Sequence, residues 1–519
     1  MQVSILENHS PLPSVLCSLG QFELDHHNCY AIHIGRIYFS SSDGSPLREN
    51  GKQYEITWRW KPGPGLILAS LLLLFAVSTV LGKKYSGMGQ QRLLQVQGWF
   101  IDQPTEVWVI AGFLVSFLLF SFIPTFLNTQ GFMAQSLVNV PTAMQVGSDH
   151  QVIVEAMARD FFYTEPKYVI RAFPYPPFTL LFHALFLPFN SVGSYRAISL
   201  MTLAAFVLAG FFIPMQFNPQ KKQTLLALFF FITGLFSYGF QFEIERGQFN
   251  LIAVALAITS IWIFHKRPKL RWLSYLLFTM SVQLKLYPLI FIFGLIDNWQ
   301  DWIGIFKRFV LLGVMNFAAL FILGYKNFIA YLQVIGDYAA AGSGSWIGGH
   351  SIKVFVSLLP ETIIRQQTNF DWAWLNTLST LLTLIVLLCF AILLYSAYKQ
   401  NLPGPNVALL LGCAVVAQLI PSVSFDYTLS ILPIVLALFF SDIQKIGKGP
   451  TASILLLVLG SVYGSLLFSF TQKSIVAAML FLNPTMIMFM MNAFPALFLL
   501  LITATGFSIS KTIAMQVSS

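Results

Sequence analysis

"WLSYLLFTMSVQLKLYPLIFIFGLIDN", residues 272–298, is apolar almost throughout, yet it carries Lys285 near its middle and Pro288 just beyond. Either this run crosses a bilayer once or it enters and returns, and the arrangement of the whole chain follows from which. A straight span needs about 20 consecutive apolar residues, and a proline inside a helix removes a backbone hydrogen bond and breaks the helix there. Split near Lys285, the run gives two arms of about 13 residues, each rising only ~20 Å against a hydrocarbon core of about 30 Å. The expectation is a re-entrant pair of arms with Lys285 near the tip, in the outer half of the bilayer.

Composition agrees with a membrane setting. The 519 residues are 56% hydrophobic, include 50 Phe and have a mean hydropathy of +0.70, more apolar surface than a soluble globule can hide. The chain reads as an all-α polytopic integral membrane protein. Its net charge of +9 is spread over short loops rather than gathered on one face, so nucleic acid is not an expected partner. Cys17, Cys29, Cys389 and Cys413 follow no metal spacing, and His26, His27 and Cys29 read as part of a solvated tail. Neither a metal nor a cofactor is expected.

The remaining apolar runs are 64–82, 107–127, 197–215, 223–240, 249–265, 309–325, 373–397, 405–421, 428–441, 451–470 and 475–505. With the doubtful stretches they make about 12 or 13 crossing or re-entrant helices. Loop lysines and arginines are retained on the cytoplasmic side, which places 220–222, 265–271, Lys307 with Arg308, Lys399, 445–448 and Lys511 inside. Parity then allows only 197–215 to cross between 107–127 and 220–222. "PYPPFTLLFHALFLPFN", 174–190, should therefore be an interfacial or re-entrant helix on the outer side, and 272–298 should return to its starting side. Residues 128–196, the "QFEIERGQFN" turn at 241–250, 326–372 and 422–427 read as outer. The chain divides into a polar tail (1–63), an extra helix and connector (64–106), a catalytic core (107–441) and C-terminal helices (442–519). Met88 is an alternative start.

Charge is scarce at 10% of residues, yet "VGSDHQVIVEAMARD", 146–160, concentrates it. Gly147 breaks the preceding structure, and Ser148 with Gln151 forms a capping-box pattern. Asp149 falls in the first turn, where it complements the helix dipole and where the same field suits a general base. Glu155 and Arg159 form an i,i+4 pair. Ile153, Val154, Met157 and Phe161 cover the opposite side, so the helix should lie flat on the membrane surface.

The order of Asp149, "EPKYVIRAFPYPPF" at 165–178, "RGQFNL" at 246–251, "LKLYPLIF" at 284–291 and "PSVSFDYTLSILP" at 421–433 resembles the GT-C glycosyltransferases that use polyprenyl-phosphate sugars. Glycosyltransferase family 87, with its mannosyl- and arabinofuranosyltransferases, is the most similar pattern. The resemblance implies a GT-C-like bundle in which an Asp of the first outer loop, here Asp149, deprotonates an acceptor hydroxyl. That hydroxyl attacks the anomeric carbon with inversion and displaces a lipid phosphate. Ile153 stands where the family often has an aromatic, and Tyr427 where it often has His.

A departing phosphate needs cations, and Lys285, Arg171 and Arg246 are the candidates. Lys285 leads them, because an ammonium within a membrane segment is costly and marks a functional site by default; snorkelling to an interface is its competing reading. Gln248 and Asn250 suit sugar hydroxyls but equally suit helix capping. Tyr175 with Pro176 and Pro177 suits a sugar-site wall or a helix start. Asp426 and Tyr427 suit substrate contact or an N-cap. "GSGSWIGGH", 342–350, suits a loop closing over substrate through Trp346 and His350, or an unconstrained loop.

The expected activity is transfer of mannose or another hexose or pentose from a polyprenyl-phosphate donor to a lipid or glycan acceptor. The expected location is the bacterial cytoplasmic membrane, with the site facing the periplasm. The rivals are a transporter or flippase, which usually shows paired repeats and midplane ion sites not found here, and an inactive GT-C-like subunit.

Overall fold

The computed structural model describes residues 2–7, 10–11, 15–16, 29–33, 36–39, 54–59, 105–122, 147–159, 175–217, 221–341, 348–363, 373–402, 404–422, 424–441, 450–468, 473 and 492–518. The chain divides into two compact units, one containing Met1–Gly89 and the other Gln90–Lys473.

The amino-terminal unit, read in sequence as a polar tail, contains strands. Six short strands form there: β1 Gln2–Glu7, β2 Ser10–Pro11, β3 Val15–Leu16, β4 Cys29–His33, β5 Arg36–Phe39 and β6 Tyr54–Arg59. One sheet runs β2-β1-β6 and the other β3-β4-β5. β1 and β6 are antiparallel, with Gln2 opposite Arg59 and Glu7 opposite Tyr54. Val3 and Ile5 in one strand, and Ile56 and Trp58 in the other, alternate with polar residues, which is the period of a strand. An all-α description therefore belongs to the second unit.

That unit is helical and polytopic. α1 (Thr105–Phe117) is followed by α2 (Ser148–Arg159), α3 (Pro177–Ala184), α4 (Ser191–Val207), α5 (Lys221–Leu235), α6 (Tyr238–Arg246) and α7 (Asn250–Lys266). Then come α8 (Arg271–Leu284), α9 (Trp302–Ala319), α10 (Tyr325–Ala341), α11 (Ile352–Ile363), α12 (Ala373–Gln400), α13 (Val407–Leu419), α14 (Leu432–Ser441), α15 (Pro450–Leu466) and α16 (Phe494–Ser518). Among the described residues four helical stretches are long and apolar enough to cross a membrane, Ser191–Phe217, Trp302–Ala319, Trp374–Gln400 and Phe494–Ile513; α5 and α6, bent by 50°, could make a fifth. The run 64–82 lies outside the described residues. The supposed loop 326–372 contains two amphipathic helices, α10 and α11, whose mixed composition masked them.

Residues 271–297 do return to where they start. α8 ends at Lys285, which is extended (φ −145°, ψ 137°), and a 3-10 arm, Tyr287–Leu295, leads back. At the base, Asp297 pairs with Arg271 at 2.5 Å and with Arg308 of α9 at 3.0 Å. Burial raises the Asp297 carboxyl, but Arg308 and Arg271 outweigh it and leave it below its usual range. Both guanidiniums lie over the Phe264 ring, at 4.5 and 4.6 Å. At the tip, where α8 leaves carbonyls unpaired, the Thr179 hydroxyl of α3 donates to Gln283 O at 2.9 Å. With eight residues, α3 rises about 12 Å and is too short to span.

α2 departs from its expected setting. Ile153 and Met157 are buried in a cluster with Leu180, Phe182, Phe186, Ile198, Phe249 and Ile252, so this apolar face rests on protein rather than lipid. The capping box is absent. The Ser148 hydroxyl has no hydrogen-bond partner, because the helix begins on Gly147, whose carbonyl accepts from Gln151 N at 2.9 Å. The side chains of Glu155, Arg159 and Phe161 lie outside the described residues.

α1 and α15 approach closely through small residues. A Cβ at Gly112 would lie 2.0 Å from Leu457 O, and one at Gly460 2.1 Å from Val109 O. Gly460 and Gly464 form the G-x-x-x-G spacing that lets membrane helices meet backbone to backbone. Two hydroxyls seal the contact: Ser116 donates to Ser461 O at 2.6 Å and Ser461 to Gly112 O at 3.0 Å.

Candidate active site

The site is assembled by two left-handed glycines. Gly247 (φ 67°) ends α6 and Gly147 (φ 76°) precedes α2, a conformation that costs other residues roughly 1–2 kcal/mol. Gly147 N donates to Glu245 O at 2.6 Å, and a Cβ at Gly247 would sit 2.8 Å from the His150 Cβ. Only a bare backbone on α6 lets α2 dock with its N-terminus against the turn 247–249.

That docking puts Asp149 beside the turn. Its Oδ1 pairs with Arg246 at 3.1 Å and its Oδ2 accepts from Gln248 Nε2 at 2.7 Å. The Gln248 carbonyl oxygen accepts from Lys285 Nζ at 3.1 Å, and the Tyr175 hydroxyl accepts from the same ammonium at 3.1 Å. Lys285 also faces the Tyr175 and Phe249 rings, each at 4.3 Å, and the Tyr427 ring at 5.9 Å. Aromatic faces and two acceptors offset part of the cost of desolvating an ammonium. Among the described residues two of its three N–H groups meet an acceptor.

Asn250 opens α7; its carbonyl accepts from Tyr287 OH at 3.4 Å, and its side-chain nitrogen is buried without a hydrogen-bond partner. Tyr427 stacks on Phe242 at 6.0 Å, and Phe242 in turn lies 5.9 Å from the Arg246 guanidinium. Next to it, Asp426 and His350 pair at 3.3 Å, and His350 Nε2 lies 3.1 Å from both Thr428 Oγ1 and Ser424 Oγ. Gly349 and Phe425 form a backbone bridge, reinforced by Asp426 N donating to Gly348 O at 2.9 Å. The end of the 342–350 segment is thus fastened to the turn after α13. Arg171 and Trp346 lie outside the described residues.

Two candidates lie in settings that the sequence did not show. Arg246, read as a candidate phosphate contact, pairs with Asp149 where the turn of Gly247 folds the end of α6 over α2. His350, read as part of a closing loop, is fully buried against Asp426, since main-chain pairing draws 348–350 into the fold. Glu243, also fully buried, was missed altogether; flanked by Gln241, Glu245 and Arg246, it reads in sequence as one more residue of a polar turn. Beside the site, burial pushes the His150 imidazole down to about 4, and its Nε2 lies 2.5 Å from Ser194 Oγ.

A buried ammonium, a carboxylate and an amide joined at the turning point of a re-entrant segment suit group transfer from a charged donor, and comparison with known families bears on this. Residues 173–422 match glycosyltransferase family 87. No curated protein and no solved structure matches the chain. The family 87 region is just under half of the chain and includes Tyr175, Arg246, Gln248, Asn250, Lys285 and His350; Asp149, Asp426 and Tyr427 lie outside it. The family 87 match indicates a glycosyltransferase, and the membrane-length helices make the protein an integral membrane one.

Proposed function

We propose that this protein transfers a sugar, mannose or another hexose or pentose, from a polyprenyl-phosphate donor to a lipid or glycan acceptor, with inversion and with Asp149 as general base. The acceptor oxygen forms its bond to the anomeric carbon while Asp149 takes the hydroxyl proton. The bond from that carbon to the phosphate oxygen breaks, and the electron pair leaves with the polyprenyl phosphate. The third N–H of Lys285 is the donor for the developing phosphate charge. Arg246 and Gln248 orient the base, and Tyr175 and Tyr427 offer faces for the sugar. The reading places the site on the periplasmic side of a bacterial cytoplasmic membrane, because the Lys285 tip lies away from the basic 265–271 loop.

The observation that carries this reading is the continuous chain Lys285–Gln248–Asp149, which sets a cation and a base on one amide. Asp149→Asn in purified, reconstituted protein supplies the test, with radiolabelled polyprenyl-phosphate sugars as donors. Transfer should fall by about 10²–10⁴-fold with expression and insertion unchanged. Full turnover by Asp149→Asn removes Asp149 as base, and movement of the donor across the bilayer without transfer replaces the reading with a flippase.

A further inference from the structure

At the end of the re-entrant hairpin remote from Lys285, cations outnumber the acids. α8 has 14 residues and rises ~21 Å, so its first turn lies far from the site around Gln248. The cations are Lys266, Arg267, Lys269 and Arg271, from the end of α7 to the start of α8, with Lys307 and Arg308 of α9. Between Phe264 and Arg308 the only acids in the sequence are Asp297 and Asp301. Asp297 is shared by Arg271 and Arg308, and Asp301 caps α9, its Oδ1 accepting from Gly304 N at 2.9 Å. Lys266, Arg267, Lys269 and Lys307 are exposed, and among the described residues none of them is in an ion pair. Like charges gathered in this way repel, and an anion placed among them relieves the repulsion.

The same end of the hairpin is level with the ends of membrane-length helices. Lys266 Nζ is 5.9 Å from the ring of Phe217, where the stretch Ser191–Phe217 stops. Trp302 opens the stretch Trp302–Ala319, and its ring lies 5.9 Å from that of Tyr398, near the end of Trp374–Gln400. Just beyond, Trp299 N donates to Asn401 Oδ1 at 2.9 Å. Trp272 and Trp302 are 63% and 64% exposed, and Ile303 and Phe306 are exposed beside them. Indoles so placed sit at the level of lipid headgroups. Apolar side chains that continue onto a spanning helix suit a lipid and not a soluble acidic partner.

We propose that this surface seats the headgroup of an anionic phospholipid. Lys266, Arg267, Lys269 and Lys307 meet its phosphate, and Trp272 and Trp302 flank the first carbons of its acyl chains. Basic pockets between membrane helices recognise such headgroups. Arg271 and Arg308, joined through Asp297 and stacked on Phe264, hold the starts of α8 and α9 together, so the seat is formed before the lipid arrives. The proposal does not rest on the transferase reading, whose donor meets Lys285 at the opposite end of the hairpin.

Photoactivatable phosphatidylglycerol and phosphatidylcholine with identical acyl chains, each at low content in phosphatidylcholine vesicles holding the full-length protein, supply the test. Mass spectrometry maps the cross-links to peptides covering 266–272 and 299–307. One cation near the surface favours an anionic lipid by about 5-fold, so phosphatidylglycerol should label these peptides at least about 10-fold more than phosphatidylcholine does. In Lys266→Gln/Arg267→Gln/Lys269→Gln/Lys307→Gln the ratio should fall to within about 2-fold of unity, with labelling by phosphatidylcholine unchanged. Equal labelling of the parent by both lipids overturns the proposal, and so does a preference that survives in the variant. Unlabelled phosphatidylglycerol should abolish the preference; abolition by inorganic phosphate at the same concentration overturns a lipid seat. If the variant does not insert, salt takes its place. The parent's ratio should fall towards unity as the screening length shortens from about 10 Å at about 0.1 M salt to about 3 Å at about 1 M, and an unchanged ratio overturns the proposal.

Discussion

The carboxylate of Asp149 and the ammonium of Lys285 hold opposite ends of one side-chain amide, that of Gln248: the amide nitrogen donates to the first at 2.7 Å and the amide oxygen accepts from the second at 3.1 Å. An amide is suited to this place because it is neutral and offers both a donor and an acceptor. The position of the base is thereby coupled to the occupancy of the cation.

Lys285→Ala removes one end of that bridge. The expected outcome is a loss of donor affinity of about 100-fold, equivalent to ~3 kcal/mol for a truncated charged contact, with insertion unchanged. Lys285→Arg should recover only part of it, because a planar fork does not fit a cage shaped for a point charge. Titration with a non-hydrolysable polyprenyl phosphonate checks both, and unchanged binding in Lys285→Ala removes the phosphate role.

Gly247→Ala should destabilise the protein by about 2 kcal/mol or more, since it combines a left-handed backbone with a Cβ 2.8 Å from that of His150. Gly313, inside α9, where an added Cβ would meet nothing within 4 Å, is the control, and its alanine variant should melt at or slightly above the parent. Thermal unfolding in detergent distinguishes them; equal melting of all three contradicts the close docking of α2.

His150 gives the fold an acid-side dependence. Its imidazole is held at about 4, below the usual 6.5, by burial. Between these values the unfolded chain binds the proton and the folded one does not, so stability rises with pH there. The contribution is fully present above 6.5 and is lost as pH falls towards 4. Melting curves of the parent and His150→Asn across pH 4–7 should show a shallower acid decline in the variant; identical slopes assign the decline to another group.

Much of this arrangement was legible beforehand, for identifiable reasons. The re-entrant arms follow from length and parity alone, because about 13 residues of helix cannot cross ~30 Å. The grouping of Asp149, Gln248 and Lys285 was suggested by a family resemblance rather than by spacing. Glu243 escaped notice because its hydrogen bonds are to Asn250 and Leu251 main chain and to Ser430, none of which a pattern of charges reveals. The Arg246–Asp149 pair was not legible, since only the left-handed turn at Gly247 decides which way the end of α6 points. The strands around Val3 and Ile56 were hidden by treating residues 1–63 as one polar block.

The close fit of α1 against α15 has a bearing on biogenesis. The ribosome reaches Gly112 long before Gly460 and Gly464, so the partner of the notch on the early helix is absent while the intervening polypeptide is made. A chain that ended ahead of Pro450 would lack the helix that fills this notch, so the contact can close only after Gly464 has been made.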